Sequence, residues 1–338
     1  MTKNTIIGID LAKSVFQIAV MSDNRIISNK RVNRSKLKQF ITNHSITTIA
    51  MEACYSSNYW AREFEKLGHT VLLIPAQHVK PFTRGNKTDA NDAVAIIEAS
   101  QRPDLTFVPI KTITQQDIQC LHRIRERLVR NRTGLMNQTR GLLVDYGIVM
   151  VKGKKGFLLG IEEALNSTHL SELLKRELQS ALSELQQTTE HIANIESRLK
   201  RFLENNRNSK ILHSIPGIGV INATALTCKY GNASQFSNAR SLSVSLGLTP
   251  KLSASGHRTQ MQSISKRGDP YLRKQLIHGA RALLGVCDKR PDDALCRWAS
   301  RIKQRRGSSI ATVAIANRIA RLAWVLLNKQ QLYRPMPV

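Results

Sequence analysis

The chain has 338 residues, 41% of them hydrophobic, enough for two sizeable cores, which excludes a disulfide-stapled miniprotein and a wholly disordered polypeptide. Its 51 lysines and arginines against 24 acids give a formal charge of +27, so a polyanion, nucleic acid above all, is the expected partner. There is no run of about 18 consecutive apolar residues, no basic-then-apolar leader and no CxxC among Cys54, Cys120, Cys228, Cys287 and Cys296, so a reduced, cytoplasmic, nucleoid-associated chain with no membrane is expected.

The elements of the first hundred residues read in order as strand, strand, strand, helix, strand, helix, strand. Thr5 to Asp10 is a short β-branched strand ending in an acid, Val15 to Met21 returns as a second, and Arg25 to Val32 supplies a third antiparallel strand. Residues 35–43 predict a helix, 46–51 a buried strand, 59–67 a helix and 70–74 another strand. That succession is an α/β order with a mixed sheet.

Two acids stand at equivalent places: Asp10 ends the first strand and Glu52 follows the buried strand 46–51. Asp89 and Asp92 open a further helix, and their i,i+3 spacing puts them on one face about a turn apart. Each alone reads equally well as a turn former or a first-turn acid. As a set they predict a site for Mg²⁺ or Mn²⁺, because packed carboxylates repel one another until a hard divalent cation neutralises them. Two such ions polarise a phosphodiester for in-line displacement. A Gly-Ile-Asp strand also opens actin-like ATPases, but Glu52 to Asp92 holds only Gly68 and Gly85, too few for a phosphate cradle.

Net charge by segment is +5 over 1–110, +7 over 111–160, +1 over 161–250 and +14 over 251–338, so a near-neutral spacer divides two basic regions. Between 114 and 145 a leucine recurs every seventh residue, at Leu121, Leu128, Leu135 and Leu142, as one seam of a long helix. Arg123, Arg125, Arg127, Arg130, Arg132 and Arg140 occupy its other faces, read as lacking acidic i+4 partners and suited to a phosphate backbone. Turn formers around Gly147 and Lys152 to Gly156 predict a hinge over 146–158. From 171 to 203 the spacing of Leu174, Leu178, Ala181, Leu185, Thr188, Ile192, Ile195, Leu199 and Phe202 predicts a coiled coil for oligomerisation, or an intramolecular hairpin.

In the last third, Leu212 to Gly219 reads as a helix-hairpin-helix turn offering Gly217, Gly219 and a helix N-terminus to a phosphate. Beyond it, Ser255 stands in a loop rich in small residues and cations, with Arg258, Lys266, Arg267 and Arg273 as phosphate contacts. No histidine or carboxylate at motif spacing makes a hydrolase triad there. The cations suit attack by serine on a phosphodiester instead.

Taken together, the Gly-Ile-Asp10 strand, Glu52, the Lys-Thr-Asp89-Ala-Asn-Asp92-Ala stretch, Leu121-His-Arg-x-Arg, Asn137-Gln-x-Arg-Gly-Leu-Leu, Ile215-Pro-Gly-Ile-Gly219, Leu246-Gly-Leu-x-Pro250, Ser255-Gly256 and Ile264-Ser-Lys-Arg-Gly span the chain. They resemble the DEDD-type insertion-sequence transposases of family one-ten, its eleven-eleven subgroup most closely, relatives of the Piv-type invertases. The resemblance implies an RNase H-like, RuvC-like catalytic domain over 1–110 with the basic helix 111–147 attached. It further implies a coiled-coil spacer over 158–208 and a mostly helical transposase domain with helix-hairpin-helix and serine loop over 209–338. It implies a recombinase that cuts and rejoins DNA, pairs with donor and target through a non-coding bridge RNA, and works as a dimer or tetramer with the carboxylates of one protomer facing Ser255 of another. The family often has Ser-Ser-Gly where this chain has Ala254-Ser255-Gly256, so Ser255 is the matching residue and Ser253 the lesser candidate. Two other readings stand beside it: a carboxylate-only nuclease resembling Holliday-junction resolvases, and a non-catalytic DNA-bridging protein.

Overall fold

β1 (Thr5–Asp10), β2 (Val15–Ser22) and β3 (Arg25–Asn33) form an antiparallel meander: β1 and β2 are short β-branched and apolar runs, and β3, polar and mostly exposed, is the edge strand that follows the turn at Asp23–Asn24. α1 (Arg34–Thr42) and α2 (Ser57–Lys66) then lead into β4 (Thr48–Glu52) and β5 (Thr70–Ile74), which add in parallel beside β1 to give the order β3-β2-β1-β4-β5. The computed structural model describes residues 5–83, 88–255 and 258–335, with the side chains of Ser255 and Arg258 outside that description. The chain divides into two compact units, 1–112 with 234–237, and 113–233 with 238–338.

Strand periodicity decides which face each residue serves. On β1 and β4 the odd positions Ile7, Ile9, Ile49 and Met51 pack with Leu37 and Ile41 of α1 and Trp60 and Phe64 of α2. The even positions face the helix that follows α3 (Ala76–Val79), namely α4 (Asp89–Ser100). Ala93 and Ile97 of α4 join Ile6, Ala19 and Met21, while Ala95, Ile96 and Ala99 join Ala50 and Ile74. Gly8 makes this close approach possible, because a Cβ there would stand 2.5 Å from both the Ala93 carbonyl oxygen and Ile97 Cγ1. Where the spacing predicts a strand over 46–51, pairing begins at Thr48. The Thr47 amide donates to His69 Nδ1 (3.2 Å) rather than to a strand neighbour, and Ile46 is 74% exposed.

The second unit is helical apart from one hairpin. α5 (Ile113–Val144), α6 (Gly153–Asn166) and α7 (Glu172–Asn205) form an arm in which α7 runs antiparallel to α5. Ile192, Ile195 and Leu199 of α7 meet Ile118 and Leu128; Leu182 and Leu185 meet Leu135 and Met136; Leu178 meets Leu143. Phe157, Ile161 and Ala164 of α6 close the far end. The heptad seam is therefore covered from within the chain, and the basic helix groups with the second unit rather than the first. The hinge predicted over 146–158 is shorter, because α6 already starts at Gly153, whose carbonyl accepts from Arg140 (2.7 Å) while that guanidinium lies over Phe157.

The remaining helices are α8 (Arg207–His213), α9 (Val220–Tyr230), α10 (Ala239–Ser245), α11 (Pro270–Val286) and α12 (Ala294–Lys329), the last broken at Gly307 (φ 80°, ψ 166°). The hairpin of β6 (Pro250–Ser255) and β7 (Arg258–Ile264) stands between α10 and α11 in sequence, where the reading above expects a loop. Among the described residues α12 is the one helix long and apolar enough to cross a membrane, with mean hydropathy 1.6 over its best stretch, half of it buried in the protein. Its buried positions Ala311, Ile315, Ile319, Ala323 and Leu327 recur every fourth residue, the stripe of a core helix.

Candidate functional site: a carboxylate edge and a serine hairpin

The strand register sets the acids in relation to one another. Asp10 pairs with Gln17 and Gln17 with Arg31, while Ile9 pairs with Met51 on the parallel side, which brings Glu52 level with Asp10 on the next strand, about 4.8 Å away. Arg31, Gln17, Asp10 and Glu52 thus make one row at the carboxyl ends of β1 and β4, all on the face that α4 covers. α4 starts over that row: Thr88 caps it by accepting from the Asn91 amide, and Asp89 and Asp92 occupy its first turn.

The two helix acids lean to opposite sides. Asp89 shares a face with Ala93 and Ile97 on the β2 side, and its carboxylate lies 3.9 Å from the Arg31 guanidinium, both well exposed. Asp92 shares a face with Ala95, Ile96 and Ala99 on the β4 and β5 side and accepts from the Thr83 hydroxyl (3.2 Å). All four acids are at one end of one face, but they span the width of several strands, and among the described residues no three His, Cys, Asp or Glu side chains stand as a ready metal cage. The donor set suits hard cations: four carboxylates, no thiolate and no imidazole. Arg31 already supplies positive charge at the same edge. Its part at the site was not visible from sequence spacing, since it lies far from the helix acids in the chain, and that of Thr83, nine residues before Asp92, has no motif to mark it.

Ser255 is the last residue of β6 and pairs with Arg258, the first of β7; Ser253 pairs with Gln260 two steps lower. Gly256 and His257 lie outside the described residues, as do the side chains of Ser255 and Arg258. The base of the hairpin is fixed. Gly247 (φ 67°) and Gly268 (φ 85°) sit so close to the Lys266–Arg267 and Ser245–Leu246 backbones that neither has room for a Cβ. Arg273 donates to the Leu246 (3.1 Å) and Arg267 (3.2 Å) carbonyls and so braces the stem, while Lys266 and Arg267 are exposed beside it.

The basic residues of α5 divide in the same way. Arg123, Arg127 and Arg130 are exposed, Arg132 is half-buried, Arg125 is 17% exposed and ion-paired with Glu196 (2.6 Å), and Arg140 holds α6 as described. The helix does have an acidic i+4 pair, contrary to the sequence reading: Glu126 meets Arg130 (3.3 Å) and also Lys274 of α11. Burial opposes the ionisation of Glu126, but these two cations outweigh it and hold its carboxyl below the usual range. At the Pro-Gly turn, Gly217 (φ 89°) lies against the Gly279 backbone of α11 and serves that packing, whereas Gly219 at the N-terminus of α9 is exposed.

Two family profiles match the chain. Residues 7–148 match the profile of the DEDD transposases of IS110, and residues 209–295 that of the IS116/IS110/IS902 family transposases. The chain belongs to this family of insertion-sequence transposases. It is 40% identical to the "Transposase for insertion sequence element IS1111A" of Coxiella burnetii over 97% of this chain and 91% of that protein. It is likewise 40% identical to the "Probable family 20 transposase" of Pseudomonas aeruginosa, covering 97% and 98% of the two chains. The transposase for insertion sequence element IS1328 of Yersinia enterocolitica is 35% identical over 96% of this chain and 97% of its own length. The DEDD profile covers all four acids and the basic helix of this transposase; the second covers the Pro-Gly turn, the serine hairpin and α11.

Proposed function

We propose that this transposase cuts and rejoins DNA by transesterification, with Asp10, Glu52, Asp89 and Asp92 holding Mg²⁺ or Mn²⁺ and Ser255 as the nucleophile. The observation that carries this reading is the sheet register that puts Asp10 beside Glu52 at the carboxyl ends of parallel neighbours, beneath the acidic first turn of α4. The same strand order supports a RuvC-like domain. When bound, a divalent ion supplies charge that polarises the scissile phosphate and lowers the pKa of an attacking hydroxyl.

The side chains contribute the rest. Ser255 Oγ bonds to a backbone phosphorus as the P–O bond to a deoxyribose hydroxyl breaks; the serine proton passes to a base and the departing oxygen takes one up. The resulting phosphoserine ester retains the bond energy, so the reverse attack by a DNA hydroxyl rejoins strands without ATP. Lys266 and Arg267, exposed at the hairpin base, disperse charge on the phosphate. Carboxylates and serine belong to different units, so both units take part, from one chain or from two copies. The charge of +27 supports two polyanionic partners, DNA and a bridge RNA.

A suicide DNA substrate carrying an element end tests this. Wild-type protein in Mg²⁺ is expected to give a protein–DNA adduct on denaturing gels. Ser255→Ala is expected to lose it while still binding DNA, and Asp10→Asn or Glu52→Gln to slow its formation by about 100-fold or more. An adduct that persists in Ser255→Ala refutes the nucleophile. Undiminished recombination by RNase-treated protein refutes the RNA partner.

A further inference from the structure

Within the second unit a cavity of about 560 Å³ opens between α5, α9 and α11. Its rim and its floor differ in chemistry. On the rim, Arg123 and Arg127 stand one turn apart on α5, exposed and, among the described residues, without an ion pair. Of the other rim charges, Lys229 is matched by Asp269 (3.0 Å), while Arg130 shares the Glu126 carboxylate with Lys274. Burial opposes ionisation of Asp269, but Lys229 and the Tyr271 and Leu272 amides it caps hold its carboxyl low, so this pair stays charged and internally balanced.

The floor is neutral and aromatic, with the Tyr271 ring set edge-on to His122, the two inclined at 61°. His122, 3% exposed, links through Nδ1 to the Tyr271 hydroxyl (3.0 Å) and through Nε2 to the Thr224 hydroxyl (3.0 Å). Thr224 gives its own proton to the Val220 carbonyl (2.8 Å), so it accepts from His122 Nε2–H, and Nδ1 accepts from Tyr271. Burial, with the Arg125 guanidinium adding to it, lowers the His122 pKa to about 4, so the ring is uncharged at neutral pH. Every polar group of that relay is satisfied, and Ala225, Cys228 and Leu272 complete an apolar wall, with the amides of Gln119 and Asn131 at the edge.

A ligand that fits has one anionic end for two guanidiniums and an uncharged planar body with a polar edge. Inorganic phosphate leaves the floor unused, and a triphosphate carries more charge than the two unmatched arginines answer. We infer that this cavity takes a single unstacked nucleotide of a nucleic-acid strand, its phosphate on Arg123 and Arg127 and its base against Tyr271. This rests on the reading that the transposase binds nucleic acid, and it adds a site that reads one nucleotide rather than a backbone. Lining such a site with an aromatic ring and amides is the usual means of holding an unpaired base.

The test uses the full chain and single-stranded 12-mers of DNA and of RNA carrying one 5-iodouracil, crosslinked by light and mapped by peptide mass. The expected adduct is within 119–131, 225–229 or 269–272. Arg123→Ala with Arg127→Ala is expected to weaken 12-mer binding about 10-fold and lower the salt slope by about two. Arg176→Ala with Lys200→Ala, which removes the same charge from exposed positions of α7, is expected to lower affinity much less. Free AMP titrated as a competitor separates the two sources: displacement of the crosslink only at concentrations far above the 12-mer supports a strand nucleotide. Tight AMP binding with no crosslinked 12-mer overturns it in favour of a free nucleotide. Salt-dependent 12-mer binding without a crosslink at these segments, and equal effects of the two double variants, overturns the pocket and leaves the wider function standing. No binding of either 12-mer overturns both.

Discussion

Replacing Gly8 by alanine tests whether the carboxylate edge depends on how closely α4 approaches β1. The new Cβ meets the Ala93 carbonyl oxygen and Ile97 Cγ1 at 2.5 Å. An ordinary carbon contact begins at about 3.5 Å, so both partners must give way by about 1 Å. Ile97 can change rotamer, but the Ala93 oxygen is backbone in the second turn of α4, and moving it moves the helix. Overpacking of this kind costs about 1–3 kcal/mol, and for a unit of this size each kcal/mol lowers Tm by roughly 4 °C. Asp89 and Asp92 lie one turn or less from Ala93 and are carried with it, while Asp10 and Glu52 stay with the sheet. Because a misplacement of about 1 Å at a reacting centre can cost about 100-fold in rate, adduct formation is expected to fall by more than the loss of folded protein explains. Thermal melting and the adduct assay, both run well below the variant's Tm, separate the two effects. A Gly8→Ala protein with unchanged Tm and full activity refutes the close approach; one with lowered Tm and full activity refutes the coupling to the site.

Two further outcomes follow from buried groups. His122 keeps a pKa of about 4 in the folded protein against about 6.5 unfolded, so its contribution is complete above pH ~6.5 and is lost as pH falls from there to about 4, in all about 3 kcal/mol. Denaturant melts at several pH values are expected to show this slope in wild type and a shallower one in His122→Gln; equal slopes refute it. Gly268→Ala forces a side chain onto the Ser245 carbonyl at a φ of 85°, so it is expected to destabilise the second unit by about 1–3 kcal/mol and to lower serine adduct formation, whereas Gly285→Ala, with open space around it, is expected to leave Tm unchanged or higher.

The first unit was the more legible in sequence. Four of its five strands, β1, β2, β4 and β5, are short apolar runs bounded by turns, so element type and order followed from periodicity. Register was not legible: nothing in the spacing says that Asp89 faces Arg31 or that Asp10 stands level with Glu52, because both depend on pairing between distant segments. In the β6–β7 hairpin Leu252 and Met261 oppose each other but both are exposed, and so short an apolar face among polar and small residues reads as a loop. α6 was hidden by Gly153 and Gly156, read as turn formers although the second is helical. The heptad seam of α7 announces that it packs against a helix but not which one, since an intramolecular partner and a second chain demand the same apolar spacing. The cavity draws on three segments that lie far apart in sequence, and no local pattern marks it.

The antiparallel pairing of α5 and α7 also makes the arm a ruler. α7 has 34 residues, about 50 Å at about 1.5 Å per residue, roughly one and a half turns of duplex DNA at about 34 Å per turn. Since each apolar layer is built from both helices, the length cannot be changed in one alone without stranding the opposite half of every layer beyond the edit. Removing seven residues from each helix shortens it by about 10 Å and leaves every remaining layer matched. The reach of the arm is therefore quantised in shared heptads, and α6, which caps the far end, is the place where the chain can gain or lose residues without altering that reach.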